Sequence, residues 1–178
     1  MKKQLLLFPL IIFFFTLLIF FYLLTAERDP SKLPSALIGK KVPAFETTSL
    51  FDNKTFISTK QFGGETTLVN FFATWCAPCR DEHRYIKSLS NEHGIKIIGI
   101  NYKDDSEKTV KWLEELGNPY SNVIKDKNGL IGIEWGVYGI PETFIVDSKG
   151  IVKYRQVGPI TKKIYDNFYS KIIESNKQ

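Results

Sequence analysis

Sulfur and imidazole are scarce in this chain of 178 residues, which has two cysteines, one methionine and two histidines. A structural zinc site needs about four ligands, so one Cys-x-x-Cys pair with His83 and His93 is a poor candidate. Covalent c-type haem attachment requires Cys-x-x-Cys-His, but Arg80 occupies the histidine position. We therefore expect neither a metal nor a bound cofactor at Cys76 and Cys79.

Clusters of like charge are also missing. The chain has 24 basic and 19 acidic residues, a formal net charge of +5, and its lysines and arginines form no polybasic cluster of the kind that binds a phosphate backbone. We expect no nucleic-acid partner. We interpret the small positive excess as an aid to solubility or a mild attraction to lipid headgroups.

One long apolar run is present near the N-terminus, at residues 5–24. As a helix it is about 30 Å long, the thickness of a bilayer core, so we predict a single transmembrane anchor. The run ends in Leu-Leu-Thr-Ala26 without the small-residue pattern of a cleavage site, which favours an uncleaved anchor over a signal peptide. Lys2 and Lys3 precede it and the charges after it are nearly balanced, so the positive-inside rule places residues 1–4 in the cytoplasm.

A tether and one domain are expected after the anchor. Residues 25–41 combine proline, serine and glycine with charged residues, a composition typical of a linker. Residues 42–178 are close to the usual size of a single domain and are enough to bury a sizeable core. This domain would lie outside the cytoplasm.

The two cysteines lie in Trp-Cys-Ala-Pro-Cys, residues 75–79, between an apolar strand-like run at 66–73 and a helix predicted from about Pro78. One helical turn separates them, so their Cα atoms should be about 5 to 6 Å apart, within the range of a disulfide. A helix N-terminus lowers the pKa of a cysteine, which makes Cys76 the candidate nucleophile. Cys79, one turn inside, would resolve the mixed disulfide. A structural disulfide is the alternative, although so short a loop constrains the unfolded chain little.

The rest of the chain predicts an α/β fold with a mixed sheet. Short β, α, β, α connections indicate parallel strands, right-handed crossovers and helices on both faces, and a turn at 148–150 indicates a final antiparallel pair. A β-hairpin is expected around 52–54, and Ser106 is the predicted cap of the second helix of the domain. The predicted strands are 66–73, 95–102, 122–125, 143–147 and 151–157, and the predicted helices are 78–92, 106–116, a short piece ending near 135, and 161–174.

Four segments together resemble a known family. They are WCxPCRxEH at 75–83, NYKDD at 101–105, WLxELGNPY at 112–120 and GVYGxPETFxVD at 136–147. With the order of elements they resemble a thioredoxin fold and, more closely, the membrane-anchored CcmG/DsbE thiol:disulfide interchange proteins of cytochrome c maturation. The resemblance covers essentially the whole chain, including the anchor.

That resemblance implies a reductase in the periplasm, held by a single-pass anchor in the bacterial inner membrane. Members receive electrons from a DsbD/CcdA-type membrane carrier and reduce the CxxCH disulfide of apocytochrome c, directly or through a partner thiol protein. The redox-active disulfide Cys76–Cys79 takes the place of a cofactor, and haem is not bound. Three alternatives remain: a general extracytoplasmic reductase of the TlpA/ResA kind, a peroxide-consuming enzyme, for which no peroxidatic motif is found, and a non-enzymatic membrane-tethered chaperone.

Four residues around the cysteines are expected to support the redox site. Pro141 aligns with the cis-proline of thioredoxin-like proteins, which would expose backbone groups beside Cys76 to a substrate strand. Glu142 is expected to add negative charge that disfavours the Cys76 thiolate. Trp75 is assigned to the docking surface, and Pro78 to the start of the redox helix.

A proton acceptor for the resolving cysteine is the last expectation. Thioredoxins carry a buried aspartate on the strand before the motif, and here that position is Asn70, which cannot accept a proton. Glu82, three residues after Cys79 on the same helix face, is the candidate acceptor, and a solvated helix glutamate is the alternative. His83 is expected to be a surface residue.

Overall fold

The structure is a computed structural model that describes residues 2–25, 35–52 and 54–176. Residues 26–34, most of the predicted tether, lie outside the described residues, as does Asn53 in the predicted hairpin loop. The chain divides into two units, residues 1–32 and 33–178.

The first unit contains helix α1, Lys2–Thr25. Its segment Phe8–Thr25 has a mean hydropathy of 2.5 and is long and apolar enough to cross a bilayer. The predicted apolar helix is therefore confirmed, and by length and composition it fits a membrane anchor.

The second unit contains a small hairpin and a five-stranded mixed sheet. The strands are β1 Glu46–Thr48, β2 Phe56–Ser58, β3 Thr67–Phe72, β4 Lys96–Tyr102, β5 Asn122–Asp126, β6 Glu142–Val146 and β7 Val152–Val157. β1 and β2 pair antiparallel as the predicted hairpin, and the large sheet has the order β5-β4-β3-β6-β7. β3, β4 and β5 are parallel, whereas β6 and β7 are antiparallel to their neighbours. The predicted mixed sheet is confirmed.

In the described part of the second unit the α-helices are α2 Ala77–Asn91, α3 Ser106–Leu116, α4 Leu130–Glu134 and α5 Lys162–Asn176, and Thr59–Gln61 form one 3-10 turn. The N-cap of α3 is Asp105, whose carboxylate accepts the Lys108 amide hydrogen bond at 3.0 Å. The prediction that Ser106 caps this helix is therefore wrong by one position. A carboxylate at a helix N-terminus also gains from the helix dipole, which a hydroxyl does not.

The two helices that connect parallel strands, α2 between β3 and β4 and α3 between β4 and β5, lie on one face of the sheet. β3, β4 and β5 follow one another in sheet order, so two right-handed connections in the same direction put α2 and α3 on the same side. α5 covers this side too, and α4 and the hairpin cover the other. The first apolar core includes Ile86, Trp112 and Phe168 from the three helices, and the second includes Ile57, Trp135 and Phe144.

The end of the predicted tether contacts the domain. The Gly39 and Val42 amides donate hydrogen bonds to the Val152 and Gly150 carbonyls at 2.8 and 2.9 Å, and Lys41 bridges to Ile151. These contacts make one isolated bridge beside the start of β7. The domain boundary at residue 42 stays a prediction.

Candidate active site

Cys76 and Cys79 form a disulfide at the point where β3 gives way to α2. Their Cα atoms are 5.3 Å apart, which confirms the spacing expected from one helical turn. Cys76 is the N-cap of α2, and its Sγ accepts the Cys79 amide hydrogen bond at 3.2 Å. Both side chains are buried. Pro78 is exposed in the first turn of α2, where a missing N–H leaves no intrahelical bond unmade.

The loop before β6 lies against Cys76. The Ile140–Pro141 peptide bond is cis, as expected for Pro141, and the Ile140 carbonyl oxygen lies 3.7 Å from Cys76 Sγ. β6 begins at the next residue, Glu142, and pairs with β3, which leads to the cysteines. Sheet pairing therefore brings residues 76 and 141 together from distant parts of the chain.

Trp75 is 60% exposed, although its ring is not free to turn. Its indole N–H donates to the Lys103 carbonyl at 3.2 Å. Asp104 fixes the preceding residue by accepting hydrogen bonds from the Thr74 amide at 2.6 Å and the Thr74 hydroxyl at 3.0 Å. The loop after β4, which includes the end of the NYKDD segment, thus holds the turn that leads into Cys76.

Asp104 is held in its charged form by these contacts. Partial burial raises its pKa, but hydrogen bonds from Thr74, Asp105 and Asn101 outweigh burial and hold the pKa below its ordinary value of 3.8. The Thr109 hydroxyl lies 3.2 Å from the same carboxylate and 2.9 Å from the Asp105 carbonyl oxygen, between which its one proton is shared. The role of Asp104 could not be inferred from the sequence, because its partners come from three separate segments.

Glu82 is buried on the same face of α2 as Cys79, with 1% of its surface exposed, so the alternative of a solvated helix glutamate is wrong. Its Oε1 accepts from Asn70 Nδ2 at 2.9 Å, and its Oε2 accepts from the Ile160 amide at 2.8 Å. Burial raises the pKa of Glu82 to about 8, against the lowering effect of these two hydrogen bonds. At pH 7 the carboxyl is therefore mostly protonated, and the carboxylate is the minor form.

Asn70 links Glu82 to two other segments. Its Nδ2 also donates to Thr143 Oγ1 at 3.0 Å, and its Oδ1 accepts from the Tyr120 hydroxyl at 2.8 Å. All of these groups are buried. The position that carries an aspartate in thioredoxins thus orients a glutamate of the next helix.

His83 is also buried, with 3% exposed, and the prediction of a surface histidine is wrong. Its Nε2 lies 2.8 Å from the Gly117 carbonyl oxygen, and its ring packs edge-on against Trp112 with centroids 4.5 Å apart. Burial lowers the pKa of His83, against the hydrogen bond to Gly117. This histidine joins α2 to the end of α3.

Glu142 forms a buried ion pair that the sequence did not predict. Arg155 on β7 donates to both of its carboxylate oxygens, at 2.6 Å from Nε and 2.9 Å from a terminal nitrogen. The same guanidinium donates to the Gly136 carbonyl at 3.0 Å and lies over the Tyr138 ring at 4.7 Å. The positive charge of Arg155 therefore opposes the field that Glu142 was expected to exert on Cys76.

The part of the chain that the structure describes contains no evident metal-binding site. No three His, Cys, Asp or Glu side chains come together there as a set of metal ligands. That the protein works without a cofactor stays a prediction from the sequence.

The fold and the disulfide define the class of the protein, a thioredoxin-fold thiol:disulfide oxidoreductase. The Redoxin family model matches residues 37–169. Two proteins named thiol:disulfide interchange protein DsbE are similar over almost the whole chain. The one from Haemophilus influenzae is 47% identical over 93% of this chain and 92% of its own, and the one from Escherichia coli K12 is 43% identical over 93% and 91%. The chain belongs to the DsbE family of thiol:disulfide interchange proteins.

Solved structures agree on the fold. A secreted thiol-disulfide isomerase from Corynebacterium glutamicum superposes with a TM-score of 0.67 at 20% identity, covering 82% of this chain and 96% of its own. A thioredoxin-family thiol:disulfide interchange protein from Chlorobium tepidum gives a TM-score of 0.62 at 26% identity, covering 76% and 94%. The predicted thioredoxin fold is confirmed.

Proposed function

We propose that this protein is a periplasmic disulfide reductase of cytochrome c maturation, held by α1 in the bacterial inner membrane with its N-terminus in the cytoplasm. The orientation rests on Lys2 and Lys3 before the apolar run. The observation that carries the chemistry is the position of Cys76, at the N-terminus of α2 and beside the Ile140 carbonyl. A helix N-terminus stabilises a thiolate there, and the neighbouring backbone offers a place for a substrate strand.

The first step is attack by the reduced protein on a disulfide. The Cys76 thiolate attacks one substrate sulfur, the substrate S–S bond breaks, and a mixed disulfide forms while the other substrate sulfur leaves as a thiolate. The Cys79 amide, which points at Cys76 Sγ, stabilises the attacking anion. Trp75 and the cis Pro141 segment form the docking surface for the substrate, and Pro78 begins the helix that holds both cysteines.

The second step is resolution. Cys79 loses its thiol proton to the Glu82 carboxylate and attacks Cys76 Sγ, which restores the Cys76–Cys79 disulfide and releases the second substrate sulfur as a thiolate. The substrate gains two electrons and, from solvent, two protons. A carboxyl with a pKa of about 8 is well matched to a cysteine of pKa ~8.5. Glu142, paired with Arg155, is assigned a weaker influence on the acidity of Cys76.

The proposed acceptor is the CxxCH disulfide of apocytochrome c, met directly or through a cytochrome-assembly thiol protein. The proposed donor is a DsbD/CcdA-type membrane carrier, which returns the Cys76–Cys79 disulfide to two thiols. Both assignments rest on the family, and the two steps of thiol–disulfide exchange need no other reactant.

Trapping tests the proposal. In Cys79→Ala the mixed disulfide at Cys76 cannot be resolved, so partners remain covalently linked and can be identified from membranes after alkylation of free thiols. Apocytochrome c or an assembly thiol protein, together with a DsbD/CcdA-type carrier, is the expected result. The double variant Cys76→Ala, Cys79→Ala is the control and should trap nothing. A broad set of unrelated secreted proteins would indicate a general TlpA/ResA-like reductase instead, and cytochrome maturation that survives the double replacement would indicate a chaperone.

Glu82→Gln tests the proton acceptor separately. The amide is nearly the same size but cannot take a proton, so resolution of a Cys76 mixed disulfide should slow by about 10²-fold or more near pH 7. The rate is measured in single turnover, with the exposed Glu114→Gln variant on α3 as the control. An unchanged rate would remove Glu82 from the mechanism.

A further inference from the structure

The orientation of the Asn70 amide decides which form of Glu82 is stabilised. The amide nitrogen faces Glu82 Oε1 at 2.9 Å, and the amide oxygen faces the Tyr120 hydroxyl at 2.8 Å. Rotating the amide by 180° would exchange these atoms and direct an acceptor at Glu82. An acceptor repels a carboxylate but can receive a hydrogen bond from a protonated carboxyl, so the two orientations favour opposite charge states.

Tyr120 is the group that distinguishes the two orientations. Its buried O–H needs an acceptor, and the Asn70 oxygen supplies it. Thr143 Oγ1, the remaining neighbour of the amide, is a hydroxyl that can donate or accept and therefore selects neither orientation by itself. We propose that Tyr120 is a positioning residue for the redox reaction, which fixes the Asn70 amide so that its N–H group stabilises the Glu82 carboxylate that receives the Cys79 proton. This inference rests on the proposed role of Glu82.

Among the groups around Glu82, the hydrogen bond from Asn70 is the contact that can be altered without changing a nearby charge. The segment before β5 contributes Tyr120, and burial raises its pKa well above 10.0, so it remains a donor at every pH of the test. β3 contributes the neutral Asn70, and the segment before α5 contributes the Ile160 amide. On α2 itself, burial lowers the pKa of the adjacent His83 and so favours its neutral form, and Cys79 is the reaction partner.

Tyr120→Phe removes the hydroxyl and keeps the ring. The ring stacks on Phe72 with centroids 4.8 Å apart, and phenylalanine preserves that contact. Without the phenol, Asn70 Oδ1 loses its donor, and the best remaining donor is a protonated Glu82. The pKa of Glu82 should therefore rise, by about one unit for one net hydrogen bond.

The experiment uses the reduced full chain in detergent micelles and Ellman's reagent, 5,5′-dithiobis(2-nitrobenzoate). Cys76 takes up one thionitrobenzoate group, and attack by Cys79 releases it, so the second phase of absorbance at 412 nm is the resolution rate. Rates are measured from pH 5.5 to 9.5. Tyr120→Phe should be about tenfold slower than the natural protein at pH 7, with its pH profile displaced upward by about one unit. The two proteins should converge at high pH, where Cys79 ionises without a base.

Tyr165→Phe is the matched control. It also removes a phenol that makes one hydrogen bond, at 2.7 Å to Ser88 Oγ, and it should leave the profile unchanged. A direct measurement accompanies the kinetics: the ¹³C chemical shift of the Glu82 carboxyl, followed against pH in the oxidised protein, gives its pKa without any reaction. Tyr120→Phe should raise that value by about one unit.

The outcomes separate the two proposals. If Glu82→Gln slows resolution and Tyr120→Phe neither displaces the profile nor changes the Glu82 titration, the role of Tyr120 is refuted and that of Glu82 stands. A uniform slowing by Tyr120→Phe at every pH also refutes it, because a purely structural loss has no pH dependence. If Glu82→Gln has no effect on resolution, both proposals fail together.

Discussion

Glu82 should leave a signature in the pH dependence of the free energy of unfolding. Its pKa is about 8 in the folded protein, because burial outweighs its hydrogen bonds to Ile160 and Asn70, and 4.5 is the ordinary value. Between these two pH values the folded chain holds one more proton than the unfolded chain, so stability falls as the pH rises, by ~1.4 kcal/mol per pH unit. Complete ionisation removes roughly 5 kcal/mol over the interval from 4.5 to about 8.

Glu82→Gln cancels this slope, because an amide does not titrate. The free energy of unfolding of the variant minus that of the natural protein should rise by ~1.4 kcal/mol per unit between about pH 5 and pH 7.5, and level off above pH 8. The amide also loses some stability through mismatched hydrogen bonds, but that loss is the same at every pH and shifts the whole difference by a constant. The pH dependence is therefore a cleaner observable than the stability at one pH.

Urea unfolding of the oxidised proteins, followed by tryptophan fluorescence, measures the difference. The three tryptophans are Trp75, Trp112 and Trp135, all in the second unit, so the signal is specific to the redox domain. The exposed Glu114→Gln on α3 controls for removal of a charge and should show no such rise. A Glu82→Gln difference that is constant from pH 5 to pH 9 would refute the reasoning, because Glu82 would then ionise in the folded state as it does in water.

Three further variants test other contacts. Arg155→Ala leaves the buried Glu142 carboxylate unpaired and should lower the free energy of unfolding by about 3 to 5 kcal/mol, and adding Glu142→Gln should recover part of the loss. Gly99→Ala places a Cβ 2.8 Å from the nearest aromatic ring carbon and should cost about 1 to 3 kcal/mol by overpacking, whereas Gly63→Ala, whose nearest neighbour is at 4.0 Å, is the unstrained control. Asp104→Asn should lose ~2 kcal/mol at pH 7. The stabilisation that the Asp104 carboxylate gives the natural protein is present above pH 3.8, the ordinary pKa, and is lost as the pH falls through the lowered pKa of the folded state. Urea unfolding measures the change in stability of all three variants.

The helical spacing of residues on α2 predicts the burial of Glu82 and His83 better than their residue types do. Cys79, Glu82, His83, Ile86 and Leu89 are the buried residues of α2, and their spacing of three and four is that of one helix face. The polar identities of two of them pointed to solvent, which is why His83 was placed on the surface. Apolar strands such as β3, buried at all six positions, were predictable because identity and pattern agree there.

Long-range partners were out of reach for a different reason. The pairing of Arg155 with Glu142 depends on the register of β6 and β7, which includes an irregularity after Ile145, and no local pattern specifies it. Tyr120 and Asn70 are 50 residues apart in sequence. One sequence identifies each polar residue but does not identify the distant residue that forms its hydrogen bond or ion pair.

The guanidinium of Arg155 fastens both ends of the loop beside Cys76, at the Gly136 carbonyl and at the Glu142 carboxylate. A loop closed in this way has less conformational entropy to lose when a substrate arrives, so binding requires less further ordering there. The ordering cost of each encounter then falls on the other polypeptide. Selectivity among disulfides would therefore depend on how readily each substrate adopts an extended strand, which favours chains that have not yet folded.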